Sequence, residues 1–346
     1  MTTKRRLVVD LLSSAPHMKI PAWGADRLCE RVRDGWEVVV IKSPSMSRGE
    51  GTSQVSEETL EAVKTAEAYF GYGVSPELLA AAPNLKWAHS ASAGVGGSLS
   101  PALQASGIMF TNGAGVYAEG MADSVLAGAM HFVRGLDVAV RQQVEGNWSP
   151  GPWMDPNWRI REVADCRVVV IGAGGIGTAV AQRFSALGCA CYGVRRRPEL
   201  GIPAGFEMVV GFDEMESILP SGDIAVIAAP LTAATRKLMD ARRLALLPDG
   251  AIVVNVARGA LLDEGALLRE LDSERLRGAA LDVFEGEPLT AASPFWRHRR
   301  VLVTPHVSGV SPERHWDRTL TLFEENWRLW SEGKALRNIV DAEAGY

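Results

Sequence analysis

The sequence predicts an α/β protein made of two doubly wound, parallel-sheet domains. Three observations predict it: short apolar runs alternating with helix-like stretches, a restart of that pattern near Cys166, and a glycine-rich turn between a strand and a helix. A length of 346 residues agrees, because single cores rarely grow past ~250–300 residues.

Residues 1–110 carry the first series. RLVVD, WEVVVIKS, AEAYFGYG, LKWAHS and GIMFTN each read as a strand of a βαβ series. Among the helices between them, SEETLEAVKTA opens with a Ser-x-x-Glu-like cap. AEGMADSVLAGAMHFVRGL (118–136) has a long apolar pattern at helical spacing, and GNWSPGPWMDPNW after it reads as a loop. The second series is CRVVVIG, CACYGV, FEMVVG, DIAVIAAP, AIVVNVA, GAALDVF and RVLVTPH. Continuous β-branched runs of this kind suit strands buried on both faces of a parallel sheet. The tail SPERHWDRTLTLFEENWRLWSEG (311–333) reads as an amphipathic helix that returns to the first domain. The expected division is 1–117 plus 309–346 for a substrate (catalytic) domain and 118–308 for a dinucleotide-binding domain.

Hydrophobic residues at 47% and charged residues at 22% are ordinary for a soluble globular chain. A net charge of −5 argues against a nucleic-acid or membrane-surface partner, so RRR (195–197) and RHRR (297–300) are local features, by default solvated faces. No segment approaches ~18 consecutive apolar residues, so no membrane span is expected. Asp10 interrupts the first apolar run, which reads as a strand rather than a signal peptide. Cys29, Cys166, Cys189 and Cys191 show no CxxC spacing, which predicts reduced thiols, a cytoplasmic location and no metal site.

GAGGIG (172–177) directly follows the strand CRVVVI and opens a helix. That context makes it a dinucleotide site. Gly172 permits the tight turn, Gly174 lets backbone approach the pyrophosphate, and Gly177 lets the helix pack close to the sheet. Gly175 and Ile176 complete the loop. At the end of the next strand, where an acid would accept the ribose hydroxyls of NAD, stand Arg195 and Arg196. Guanidinium groups bind a 2′-phosphate through charge-assisted hydrogen bonds, and Arg197 is expected to face solvent. The predicted cofactor is NADP(H) by preference, with NAD(H) possible.

Ligands in open parallel sheets bind outside the carboxyl ends of the strands. Arg258 follows AIVVNVA, Glu287 follows GAALDVF, and His306 follows RVLVTP. Singly, each would be a surface or structural residue; at strand ends of one nucleotide domain they suit reduction of a 2-keto acid. Histidine can protonate the developing alkoxide near neutral pH. A carboxylate beside it favours the imidazolium, and an arginine pairs with the substrate carboxylate.

VNVARGALLDEGAL, GAALDVFEGEPL and VLVTPHVSG closely resemble the signatures of the D-isomer-specific 2-hydroxyacid dehydrogenase family, and the similarity extends to LKWAHSASAGVGG. The resemblance implies two Rossmann-like domains with a cleft between them and a homodimer formed through the nucleotide domains. It implies substrate binding by Arg258, pairing of Glu287 with the acid–base His306, and a nicotinamide carboxamide contact from Asp282. It also implies cofactor-lining roles for Ala229, Pro230, Thr235, Val256 and Ala257, and substrate-carboxylate binding by the amides around Ala93 and Gly94. The arginines after CYGV look similar to the NADP-preferring glyoxylate/hydroxypyruvate reductase branch. Two positions depart from the family pattern: Gly96, where GVD commonly occurs, and Asp123, where a glutamate is usual.

Alternatives stay open. A non-catalytic NAD(P)-sensing protein of the same fold has no need of all three of Arg258, Glu287 and His306. Formate dehydrogenase looks similar but carries glutamine in place of Glu287. An NAD-dependent D-2-hydroxyacid dehydrogenase of other substrate fits the residues as well. Trp148, Trp153 and Trp158 read either as packing at an interdomain or dimer surface or as a wall of the substrate pocket. Trp296, Trp316, Trp327 and Trp330 read as core or interface.

Overall fold

The apolar runs of the first series form a parallel sheet in a computed structural model that describes residues 5–13, 18–32, 35–47, 51, 53–155 and 160–341. Its strands are β1 (Arg5–Val9), β2 (Trp36–Val40), β5 (Ala68–Gly71), β6 (Trp87–Ser90) and β7 (Met109–Thr111), in the order β2-β1-β5-β6-β7. A two-stranded antiparallel ribbon of β3 (Met46–Ser47) and β4 (Ser53–Gln54) stands apart from it. Alternation along β1 divides the core. Leu7 and Val9 join Leu28, Trp316, Leu320 and Phe323, so the helices Ala22–Arg31 and His315–Ser331 cover one face. Val8 joins Leu78 and Leu103 of the helices Pro76–Ala81 and Pro101–Ser106 on the other.

The cap of helix Glu57–Ala62 differs from the Ser-x-x-Glu reading. Ser56 Oγ accepts the Thr59 N–H at 3.2 Å, but the residue three positions on is threonine. The neighbouring Glu58 instead accepts the Ser43 amide at 2.8 Å, bracing the loop after β2.

The second series forms a seven-stranded, wholly parallel sheet. Its strands are β8 (Arg167–Ile171), β9 (Ala190–Val194), β10 (Met208–Val210), β11 (Ile224–Ile227), β12 (Ile252–Asn255), β13 (Gly278–Leu281) and β14 (Val301–Val303). The order β10-β9-β8-β11-β12-β13-β14 reverses its direction at β8 and β11, which makes a topological switch point there. Val168 and Val170 pack on Phe132 and Phe184 of helices Ala118–Val133 and Gly175–Ala186. Val169 and Ile171 face Leu244 and Leu267 of helices Ala241–Leu246 and Glu264–Asp272.

Contacts divide the chain into two compact units, Met1–Tyr117 with Ser311–Tyr346 and Ala118–Val310. Among the described residues, two elements besides the β3–β4 ribbon escaped the sequence reading. Gly135, at φ +70°, ends the helix Ala118–Val133 and a second helix, Leu136–Glu145, follows. Its apolar residues Leu136, Val140 and Val144 point outward, so core-directed patterning does not reveal it. Within GNWSPGPW, Gly151–Met154 makes one helical turn rather than loop, while Trp158 lies outside the described residues.

Cys166, Cys189 and Cys191 are buried free thiols, and burial pushes Cys189 up to about 11 and Cys191 to about 12. Among the described residues no helix is long and apolar enough to cross a membrane. Among them, too, no group of three or more His, Cys, Asp or Glu could hold a metal ion.

Candidate active site

The glycine turn lies at the switch point. Gly172 has φ +112°, and a Cβ there would sit 2.5 Å from the backbone of Ala228 and Ala229, at the end of β11. A Cβ on Gly177 would overlap the Gly172 carbonyl, so only glycine lets the helix start this close to its strand. Gly174 has open space where its Cβ would be, and Gly174 and Gly175 are exposed. The helix Gly175–Ala186 has no side-chain cap, whereas Ser56, Ser75, Ser100, Asp240 and Asp263 cap five others. Like the helices Ala22–Arg31 and His315–Ser331 it takes no side chain on its first N–H groups, but here they adjoin the open glycine turn, where they fit a pyrophosphate.

Arg195 and Arg196 follow β9 directly. Arg195 is half-buried, its N–H donating to Val210 and its guanidinium reaching the Gly201 carbonyl at 3.4 Å; Arg196 and Arg197 are exposed. On the other side of the turn, Ala229 is buried and Thr235 Oγ1 donates to the Pro230 carbonyl at 2.7 Å, closing the 230–235 turn. Val256 and Ala257 are buried at the end of β12.

The catalytic candidates come from three neighbouring strand ends. After β12, the buried Asn255 ties the turn: its Oδ1 accepts the Ala257 N–H at 3.1 Å and its Nδ2 donates to the Arg258 carbonyl at 3.0 Å. Arg258 is half-buried, with one N–H on the Ala257 carbonyl at 2.6 Å. After β13, Glu287 turns back so that its Oε1 accepts the Phe284 N–H at 2.9 Å. Its Oε2 meets Nδ1 of the half-exposed His306 ring at 2.7 Å, so Nε2 is the ring nitrogen that Glu287 does not engage.

His306 adopts φ +55°, a left-handed backbone that few residues other than glycine take. Its N–H donates to the Asp282 carbonyl at 2.9 Å and the Thr304 carbonyl at 3.1 Å. The buried Asp282 carboxylate accepts Thr304 Oγ1 at 2.5 Å, the Val307 N–H at 2.8 Å and the Ser308 N–H at 2.9 Å. Asp282 therefore grips the loop that presents His306. The two other loops touch through Gly259, where a Cβ would overlap the backbone of Phe284 and Glu285.

Sequence reasoning singled out Arg258, Asp282, Glu287 and His306 but missed Asn255, Gly259 and Thr304. The one signal available for Asn255 was a polar residue inside the apolar run VVNVA, which demands partners when buried. In the first unit, Ala93 and Gly94 lie in the loop after β6, where the Ala93 carbonyl accepts Asn112 Nδ2 at 2.8 Å. A side chain at Gly96 would meet open space. Asp123 pairs with Arg183 at 2.7 Å, inside the second unit. A cavity of about 890 Å³ opens at the opposite, amino end of β12–β14. Its Arg275, Arg277 and Arg300 are paired with Glu270, Asp137 and Glu274, so it offers no net cationic pocket.

Residues 126–308 match the family model described as D-isomer specific 2-hydroxyacid dehydrogenase, NAD binding domain. An "uncharacterized protein in proB 3'region" of Corynebacterium melassecola is 30% identical over 298 residues, 84% of this chain and 93% of that protein. Glyoxylate/hydroxypyruvate reductase A of Salmonella typhi is 35% identical over 223 residues, covering 63% of this chain and 66% of the reductase. A D-isomer specific 2-hydroxyacid dehydrogenase from Xanthobacter autotrophicus Py2, solved with NADPH and MES, superposes with a TM-score of 0.78 at 29% identity. That match covers 99% of this chain and 100% of the other. The NADPH-dependent glyoxylate/hydroxypyruvate reductase of Sinorhizobium meliloti, solved with NADP and sulfate, gives 0.77 at 26% identity, with 99% and 100% covered.

Proposed function

Because the chain belongs to the D-isomer specific 2-hydroxyacid dehydrogenase family, we propose that it reduces a small 2-keto acid, of the glyoxylate or hydroxypyruvate kind, to the D-2-hydroxy acid with NADPH. When bound, NADPH supplies a hydride to the carbonyl carbon. His306 supplies the proton from Nε2 to the carbonyl oxygen, and Glu287 on Nδ1 holds the ring in orientation. Arg258 pairs with the substrate carboxylate and polarises the ketone. In the first unit, read as the substrate domain, the amides at Ala93 and Gly94 bind carboxylate.

The second unit binds the nucleotide. The uncapped helix after Gly174 and the open face of that glycine support binding of the pyrophosphate there. Ala229, Pro230, Thr235, Val256, Ala257 and Asp282 line the nicotinamide side, and Arg195 and Arg196 hold the 2′-phosphate. The exposed stripe Leu136, Val140 and Val144 on one helix face, with Trp148 exposed a few residues on, supports a homodimer formed through this unit.

The observation that carries the reading is the 2.7 Å pair of Glu287 with His306 beside the Arg258 loop. The test is NADPH and NADH oxidation by the purified protein against a panel of 2-keto acids. The expected result is keto-acid-dependent NADPH oxidation that His306→Gln lowers by roughly 10²–10⁴-fold. A folded wild-type protein that binds coenzyme but turns over no keto acid would be a nucleotide-sensing binding protein instead.

A further inference from the structure

Glu264 is the first residue of the helix Glu264–Asp272 and has no role in the chemistry described so far. Its Oε1 accepts the Glu285 N–H at 2.6 Å, across 21 residues of chain. The same segment grips the same loop a second time, because Gly259 rests on the backbone of Phe284 and Glu285. One end of this segment is Arg258 and the other is Glu264; the loop it holds carries Glu287. The half-buried carboxylate faces Glu285 and Glu287 from the loop after β13 and Lys237 from the turn after β11. Burial pushes it above the ordinary carboxylate range. The Glu285 N–H opposes that push, the charges of Glu285 and Glu287 add to it, and Lys237 opposes it.

We propose that Glu264 is a positioning residue for the acid–base pair: by anchoring the Glu285 amide it fixes the 284–287 turn, and so holds Glu287 on His306. This rests on the keto-acid reductase reading. A charged acceptor on a backbone N–H is among the stronger neutral-donor bonds, and small misplacement of a catalytic group costs rate steeply.

The experiment is steady-state kinetics across pH for wild type, Glu264→Ala, Glu264→Gln, Glu287→Gln and the double variant Glu264→Ala/Glu287→Gln, with hydrogen exchange of the 284–287 segment in each. Glu264→Ala is expected to lower kcat about tenfold with the KM for NADPH within about twofold. It should also speed hydrogen exchange of the 284–287 amides, because the Glu285 N–H loses its carboxylate acceptor. Glu264→Gln, which keeps an acceptor oxygen, restores most of kcat. The double variant is no slower than Glu287→Gln alone, because both changes remove one device. Additive losses, or wild-type kcat and wild-type exchange of 284–287 in folded Glu264→Ala, overturn the proposal. If wild type turns over no keto acid, the reductase reading falls, and exchange still decides the anchor: unchanged protection of 284–287 in Glu264→Ala overturns it.

Discussion

At the residue scale, Arg195 and Arg196 follow the strand end where an acid would accept ribose hydroxyls. Each charge-assisted bond to a 2′-phosphate contributes roughly 1.5–3 kcal/mol, and about 1.4 kcal/mol is tenfold. Arg195→Asp combined with Arg196→Ser is therefore expected to lower the NADPH/NADH ratio of kcat/KM by tenfold or more. An unchanged ratio removes the phosphate-binding role. His89 makes a different kind of prediction. It is buried among Phe70, Trp87 and Phe323, with Nδ1 on Thr111 Oγ1 at 2.7 Å and Nε2 without a hydrogen-bond partner among the described residues. Burial pushes its imidazole from 6.5 down to about 3. The folded chain keeps the ring neutral while the unfolded chain binds a proton below 6.5, so stability is lost as pH falls through that window. Between pH 7.5 and 5 the loss is about 2 kcal/mol. In urea unfolding at pH 7.5 and 5.0, His89→Phe should lose about that much less than wild type; equal acid losses sink the prediction.

At the scale of elements, the loops after β12 and β13 work as one piece because glycine 259 lets their backbones touch. Gly259→Ala must push Phe284 and Glu285 away, and Glu287 with them. The expected outcome is a kcat at least tenfold lower, with coenzyme affinity near wild type, since the glycine turn at 172–177 is untouched. Full activity in that variant would show that the two loops move independently. Gly172 and Gly177 were readable from the spacing of GAGGIG, because both close approaches lie within one strand–turn–helix unit. Gly259 was not, because the backbone it must clear is some 25 residues further along the chain. The same logic explains the helices. Ala118–Val133 announced itself through a buried apolar face, whereas Leu136–Glu145 turns its apolar side outward.

At the scale of the whole molecule, that outward stripe is where the homodimer proposal is tested. Val144 is 84% exposed and Trp148 is 98% exposed, and clustered exposed apolar side chains mark an interaction face. Val140→Glu with Val144→Glu is expected to convert a dimer to a monomer in size-exclusion chromatography with light scattering. A wild-type chain that is already monomeric at micromolar concentration ends the proposal.

By itself the sequence determined the strands of the two parallel sheets and which residues follow each strand of the second sheet. All of these depend on local periodicity and on backbone hydrogen bonding that apolar burial forces on any chain so patterned. Only the tertiary structure decided which side chains meet there. Glu287 finds His306, Glu264 finds the Glu285 amide, and Asp282 collects Thr304, Val307 and Ser308. These partners lie some 20 residues apart, on loops with no period of their own, so their distances are set by how neighbouring strands bring the loop ends together.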